Sequence, residues 1–309
     1  MSFGYQLKRE LSSIKLCLPE LILGQAYGIL LFGKSFSAQS ISIQTENEHV
    51  ADAYAQLLEA STGVKARMDV SARDAQRAYT VFVEDAADRQ RVLARFGHET
   101  KEVTLRIGRA NLEDEESMKA FLRGAFLACG NVTDPQKGYH IEYVLPHYKL
   151  SRDLQYLIGE LLDKPKDTVR RGQYVLYYKE SEHIEDLLTM LGAVNASLQL
   201  MEVKVVKDMR NRINRTTNCE TANISKTVNA AQQHIRDIRL IMKHGGLEQL
   251  DEPLRELAEL RLREPDLSLK ELGESLSEPI SRSGVNHRLH KLGRIAEEYR
   301  ERGGDGEHA

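Results

Sequence analysis

Two stretches of the 309-residue chain carry side chains whose type and spacing could do chemistry. The first is SRSGVNHRLHKLGR, residues 281–294. It holds four cations and no anion, with Asn and His interleaved. On a helix at 100° per residue, Val285, Leu289, Leu292 and Ala296 fall on one side. Ser283, His287, His290 and Arg294 then point the other way, flanked by Asn286 and Lys291. Arg suits the O6 and N7 acceptors of guanine, and Asn the N6/N7 edge of adenine. The first turns of such a helix reach base edges, so Ser281, Arg282, Ser283, Asn286, His287 and His290 are the candidates for base readout. Arg288, Lys291 and Arg294 are placed for phosphates. His287 and His290 could form a metal pair, but no third ligand is visible, so no metal site is expected. The second stretch is FLRGAFLACG, residues 121–130, where small residues recur at helical spacing. Gly124 and Ala128 lie four apart, as do Gly24 and Gly28 earlier in the chain. Small side chains on one face let two helix backbones touch.

The elements around each helix repeat. SISIQTENE (40–48) alternates as a strand, VADAYAQLLEASTG (50–63) reads as a helix ended by Gly63, RAYTVFVED (77–85) as a strand and ADRQRVLARFG (87–97) as a helix ended by Gly97. The same order returns in YHIEYV (139–144), LSRDLQYLIGELL (150–162), GQYVLYYKE (172–180) and EHIEDLLTMLG (182–192). Tyr79 to Tyr174 and Gly97 to Gly192 are each 95 residues, and Gly28 to Gly124 is 96. The pattern predicts a duplicated α/β unit, with repeats at about 20–97 and 115–192 and the two apolar helices packed together at a pseudo-twofold axis.

Past residue 195 the character changes. VKVVKDMRNRINRTTN (203–218) carries Lys204, Lys207, Arg210, Arg212 and Arg215 against Asp208, with Asn211, Asn214 and Asn218 between them. It reads as a basic linker over 196–221, either solvated or a second contact to a nucleic-acid backbone. Ile224, Val228, Ala231, Ile235, Ile238 and Met242 predict a helix over 222–243, ended by Gly245–Gly246. A second helix runs from Asp251 to Glu264, a third over 269–276 opens on the capping box Ser268–Glu271, and Ser281 caps a fourth. Short helix, tight turn and longer basic helix form a helix-turn-helix pattern, here a small all-α domain over 222–302 followed by a disordered tail, 303–309.

Composition agrees with a soluble protein: 41% hydrophobic and 29% charged residues. Net charge is −3 overall, but +5 over 201–245, −6 over 246–280 and +4 over 281–296, which localises an anionic partner. Cys17, Cys129 and Cys219 are too scattered for a disulfide framework or a zinc finger, in keeping with a reducing cytoplasm. No signal peptide is expected at MSFGYQLKRELSSIK, and the longest apolar run, Ala26–Gly33, is too short to span a bilayer. A basic amphipathic helix on a membrane is a poor match to the Ser, Asn and His of 283–290, whereas a protein–protein helix bundle remains an alternative to DNA binding.

Aligned by Gly124, Ala128 and Gly130, LRGAFLACG resembles the LAGLIDADG helix of homing endonucleases, and AYGILLFGK (26–34) resembles its partner from the first repeat. That family holds divalent cations with acids near the ends of these helices. The matching positions here are Leu31, Gly33, Leu127 and Cys129, and Asp134 lies beyond them in VTDPQKG, a turn. Magnesium needs hard oxygen ligands, so the resemblance implies the α+β architecture without the nuclease. Over almost its full length, with 211–231 (NRINRTTNCETANISKTVNAA) and 281–292 the most specific parts, the chain resembles the WhiA family, whose members are bacterial proteins of transcription control, sporulation and cell division. The resemblance implies a degenerate LAGLIDADG domain over 1–195 followed by the helix-turn-helix domain. It also implies a non-enzymatic, sequence-specific regulator associated with the nucleoid, with chromosome segregation as a further process. The implied partners are double-stranded DNA and other transcription or division proteins, with no membrane and no cofactor. An active endonuclease and a protein-interaction scaffold are the alternatives.

Overall fold

The computed structural model describes residues 1–73, 76–99 and 104–304, and divides into two compact units, Met1–Asp208 and Met209–Ala309. In the first unit, α1 (Phe3–Ser12) precedes an α-helix, α2 (Pro19–Leu31), then β1 (Ser35–Phe36), β2 (Ile41–Thr45), α3 (Glu48–Thr62), β3 (Arg67–Arg73), β4 (Gln76–Phe82) and α4 (Ala86–Arg95). The order recurs as α5 (Glu115–Cys129), β5 (Gly130–Val132), β6 (Ile141–Leu145), α6 (Tyr148–Leu161), β7 (Lys166–Arg170), β8 (Gln173–Tyr178) and α7 (Ser181–Leu191). Each half carries one antiparallel four-stranded sheet, in the orders β1-β2-β4-β3 and β5-β6-β8-β7. The duplication read from the sequence is therefore present in the fold.

Central helices α2 and α5 meet through backbone. A Cβ on Gly28 would lie 2.1 Å from the Phe121 carbonyl oxygen, and one on Gly124 the same distance from that of Gln25. No side chain fits at either position. Around this contact Tyr27, Ile29, Leu30, Phe121, Phe126 and Leu127 are buried, forming the middle of a core that both sheets cover. Gly63 and Gly192 close α3 and α7 at φ 73° and 85°, a left-handed conformation that costs glycine nothing.

Several elements differ from the expectation. Strands β3 and β7 lie where the sequence predicts none, and α1 and the short strands β1 and β5 were likewise unread. The expected linker 196–221 is helical: α8 runs Val194–Lys243, 50 residues. Between Ala193 and Gly245 there is no Gly or Pro to break it. Its first turn is capped from α1, where the Glu10 carboxylate accepts from the backbone N–H of Asn195 at 2.7 Å and of Ala196 at 3.1 Å. Of the apolar stripe expected from Ile224 to Met242 only Ile238 is fully buried, beside Ile241, which the stripe did not include; Ile224, Val228 and Met242 are exposed.

The second unit continues with α9 (Glu252–Arg263), α10 (Leu269–Glu274) and α11 (Arg282–Gly304) around a smaller core of Ile238, Ile241, Leu257, Leu272, Leu289 and Leu292. The tail expected over 303–309 begins inside α11, and residues 305–309 lie outside the described residues. No helix among the described residues is long and apolar enough to cross a membrane.

The central approach yields a first prediction. Gly28→Ala places a methyl group against backbone that cannot yield, so it should destabilise the first unit by about 1–3 kcal/mol or more. Gly138→Ala, in open space, should change stability by less than about 0.5 kcal/mol. Urea unfolding of the full chain measures both; equal effects would mean that the helix approach is not what limits residue 28.

Candidate nucleic-acid interface

Local capping fixes the three helices of the second unit. Asp251 accepts from the Leu254 N–H at 3.2 Å and starts α9. Ser268 and Glu271 form a reciprocal capping box on α10, each side chain accepting from the other's backbone N–H, at 2.8 and 3.3 Å. The turn then folds back onto α10. Ile280 N–H donates to the Gly273 carbonyl at 3.0 Å, and a Cβ on Gly273 would lie 2.3 Å from the Ile280 carbonyl oxygen. Gly273 is thus what lets the turn close. Sequence reading passed over it, although a glycine inside a six-residue helix was the available signal. Ser281 opens α11, its hydroxyl accepting from the Gly284 N–H at 3.2 Å.

Helix α11 is anchored by Val285, Leu289, Leu292 and Ala296, all buried. Ser281, Arg282, Ser283, Asn286, His287, His290, Lys291 and Arg294 are exposed, and Arg288 is half-buried. The cations are not equivalent. Lys291 pairs with Asp251 at 3.2 Å, and Arg288 donates to the Pro253 carbonyl at 3.4 Å, so both lean toward the start of α9. An exposed pair of this kind contributes about 0–1 kcal/mol and can be exchanged for another anion. Arg282 and Arg294 have no hydrogen-bond or ion-pair partner among the described residues. The result is a helix edge with readout-type side chains in its first turns and one unpaired guanidinium two turns later.

Beneath this edge lies a polar cluster that periodicity did not reveal. Arg261 is 2% exposed and donates to the Pro265 and Leu267 carbonyls at 3.1 and 2.7 Å, tying the end of α9 to the loop before α10. Asp237 on α8, also buried, accepts from Gln233 at 2.8 Å and from Arg300 of α11. Beside them the His234 ring has a buried Nδ1 with no hydrogen-bond partner among the described residues. Burial holds its pKa below the ordinary value, and the charge of Arg261 adds to that; Asp237 opposes it.

The basic residues of α8 divide. Lys204 pairs with Glu182 at 2.6 Å. Lys207 donates to the Pro135 carbonyl at 2.6 Å and sits 4.7 Å from the centre of the Tyr139 ring. Both are therefore held within the first unit, unlike the free phosphate contacts expected of them. Arg210, Arg212 and Arg215 are exposed, with Asn211, Asn214 and Asn218 among them.

The C-terminal ends of α2 and α5 carry no acid. Leu31 and Leu127 are buried in the core, and a Cβ on Gly33 would lie 2.7 Å from the Ser42 carbonyl oxygen. Burial pushes the Cys129 thiol up to about 12. Lys8, its amine lowered to about 8 by burial, donates to the Leu127 carbonyl at 3.1 Å, so a cation stands at the helix end. Asp134 sits in a turn, accepting from the Gln136 N–H at 2.9 Å. Among the described residues no group of three or more His, Cys, Asp or Glu side chains could hold a metal.

Comparison with known proteins meets this geometry in both units. Residues 118–210 match the family model of the WhiA LAGLIDADG-like domain, and residues 213–296 that of the WhiA C-terminal HTH domain. A Thermoanaerobacter sp. (strain X514) protein called "Probable cell division protein WhiA" is 42% identical over 229 residues, 72% of each chain. One of the same name from Clostridium tetani (strain Massachusetts / E88) is 49% identical over 190 residues, 62% of this chain and 60% of that protein. The chain thus spans about 60% of the length of several relatives it matches. The crystal structure of full-length DUF199/WhiA from Thermatoga maritima covers 96% of this chain and 99% of its own at a TM-score of 0.58 and 22% identity, a likeness of fold.

The half-buried His234 generates a second prediction. A histidine whose pKa is lowered on folding binds fewer protons in the folded state, so stability is lost as pH falls below its ordinary value near 6.5. The second unit should therefore denature at lower urea at about pH 5.5 than at about pH 7.5, and His234→Gln should flatten that difference. An unchanged slope in the variant would assign the pH dependence elsewhere.

Proposed function

The chain belongs to the WhiA family, and from that premise we propose that it is a non-enzymatic, sequence-specific DNA-binding protein that regulates transcription in a bacterium. One observation carries the reading: the exposed edge of α11, where Arg282, Ser283, Asn286, His287 and His290 stand free of the core on a helix fixed by four buried apolar residues. This edge faces base pairs, with Asn286 and Arg282 reading them. Arg294, Lys291 and Arg288 grip phosphate, as do Arg210, Arg212 and Arg215 on α8. The name borne by the relatives supports a place in cell division; control of sporulation genes and chromosome segregation belongs to the same reading, with a cytoplasmic, nucleoid-associated location. Leucine, glycine and a half-buried thiol at the C-terminal ends of α2 and α5 support the non-enzymatic part, because phosphodiester cleavage needs converging oxygen ligands. Other transcription or division proteins are further candidate partners.

A gel shift and salt titration on genomic fragments test the proposal. At the preferred site Asn286→Ala should cost about 1–3 kcal/mol, with little change on random duplex. Arg294→Ala, which removes a cation with no internal partner, should weaken both alike and flatten the log–log salt plot by roughly one unit. If Asn286→Ala lowered specific and random affinity equally with the fold intact, α11 would not read sequence. Absence of any shift would leave a protein-interaction scaffold.

A further inference from the structure

The internal repeat sets two corners in equivalent places in the first unit, and their chemistry is opposite. In the first repeat the corner between β2 and α3 is Glu46–Asn47–Glu48. Asn47 caps α3, accepting from the His49 N–H at 3.1 Å, and donates to the Tyr5 carbonyl of α1 at 3.3 Å, so α1 seats against it. In the second repeat the corner between β6 and α6 is Pro146–His147–Tyr148–Lys149. His147 stands at the N-cap without a side-chain capping bond. Instead of a packed helix, a cleft of about 790 Å³ opens between this corner and the segment that begins at Lys34.

The lining decides what the cleft can hold. Lys34, His147 and Lys149 supply positive or titratable groups, and Ser35 and Ser37 supply hydroxyls. Glu99 is the one acid among the described lining residues. Lys34 donates to the neutral amide oxygen of Gln44 at 2.8 Å, and Lys149 has no ion-pair partner among the described residues, so neither ammonium is neutralised internally. Tyr148 and Tyr174 stand with ring centres 5.4 Å apart, and Tyr148 is 56% exposed. The volume falls in the range of small-molecule sites, roughly 300–1,000 Å³. Two ammonium groups suit phosphate, and flat aromatic faces suit a purine or pyrimidine ring. A bare anion would leave the tyrosines unused, and a paired duplex has no single base to place between the walls of a cleft.

We propose that this cleft binds a free nucleotide, its phosphates on Lys34 and Lys149 and its base against Tyr148 and Tyr174. The site lies wholly in the first unit, whereas the proposed DNA-reading edge lies in the second, so either proposal can fail without the other.

Calorimetry on the full chain with ADP, adenosine and inorganic pyrophosphate tests it. ADP should saturate one site, with adenosine and pyrophosphate each at least about tenfold weaker, because each keeps half of the recognition. The double variant Lys34→Gln/Lys149→Gln should weaken ADP by at least about tenfold and leave duplex affinity unchanged. Tyr148→Ala should weaken ADP and adenosine but not pyrophosphate. All of these positions are at the surface or half-exposed, and unchanged thermal melting would show the variants folded. The proposal is overturned by any of three results: no saturable ADP binding at millimolar concentration, ADP affinity unaltered in the double variant, or pyrophosphate binding as tightly as ADP. Loss of duplex affinity in the double variant, with duplex displacing ADP, would likewise overturn it by making the cleft part of a DNA path.

Discussion

The approach of α2 to α5 at Gly28 and Gly124 is the constraint on which the first unit depends. With a would-be Cβ only 2.1 Å from a carbonyl oxygen on either side, the two backbones are in direct contact. Dispersion between close-packed backbones is favourable only while both faces stay small. Each sheet hangs from one of these helices, so the contact sets how the halves meet. It also sets what the helix ends can do. Leu31 and Leu127 point into the core just where the crossing ends, and Lys8 donates across it to Leu127. A carboxylate at position 31 or 127 would be buried, at a cost that apolar packing avoids. The frame thus favours apolar side chains over carboxylates at these two positions.

The second unit rests on a smaller version of the same device. Gly273 lets the Ile280 carbonyl pass within van der Waals range of α10, which closes the turn and sets the rotation of α11. That rotation buries Val285, Leu289, Leu292 and Ala296, and therefore exposes Arg282, Asn286 and His287. Helix packing and surface chemistry are one decision here, since a helix turned by one residue would hide the polar edge. Arg261 and Asp237 hold the frame from beneath with directional bonds, at the expense of leaving the neighbouring His234 in a place where it resists protonation.

Charge follows the same logic of position over composition. The chain as a whole is near neutral, so long-range attraction to an anion depends on how the islands are displayed. On α8, Lys204 and Lys207 are drawn to acceptors in the first unit, and three arginines further along remain exposed. In the pseudo-symmetric corners, Glu46 and Glu48 on either side of the N-cap Asn47 are replaced by Pro146 and Tyr148 on either side of His147, and Lys149 stands where the first repeat has His49. Duplication supplied two equivalent places, and substitution gave them different chemistry.

By itself the sequence determined the repeated order of elements, the helix-ending glycines, the capping box at Ser268, and the outward edge of α11, because each is written in local spacing or backbone preference. It also carried the close approach of the central helices, since only small residues permit one. Tertiary structure decided the rest. Strand β7 is exposed at every position and β3 nearly so; they exist by pairing with β8 and β4, and a strand that buries little leaves no alternation to read. Helix α8 carries no large apolar side chain over residues 214–223, so there only the absence of breakers marked the chain as helical, whereas apolar spacing already marked 222–243. Which lysines are free depended on Glu182, 22 residues from Lys204, and on Pro135, 72 from Lys207. The Arg261 cluster depended on three segments meeting in one core. Partners that distant are brought together only by the packed chain, and no local pattern encodes them.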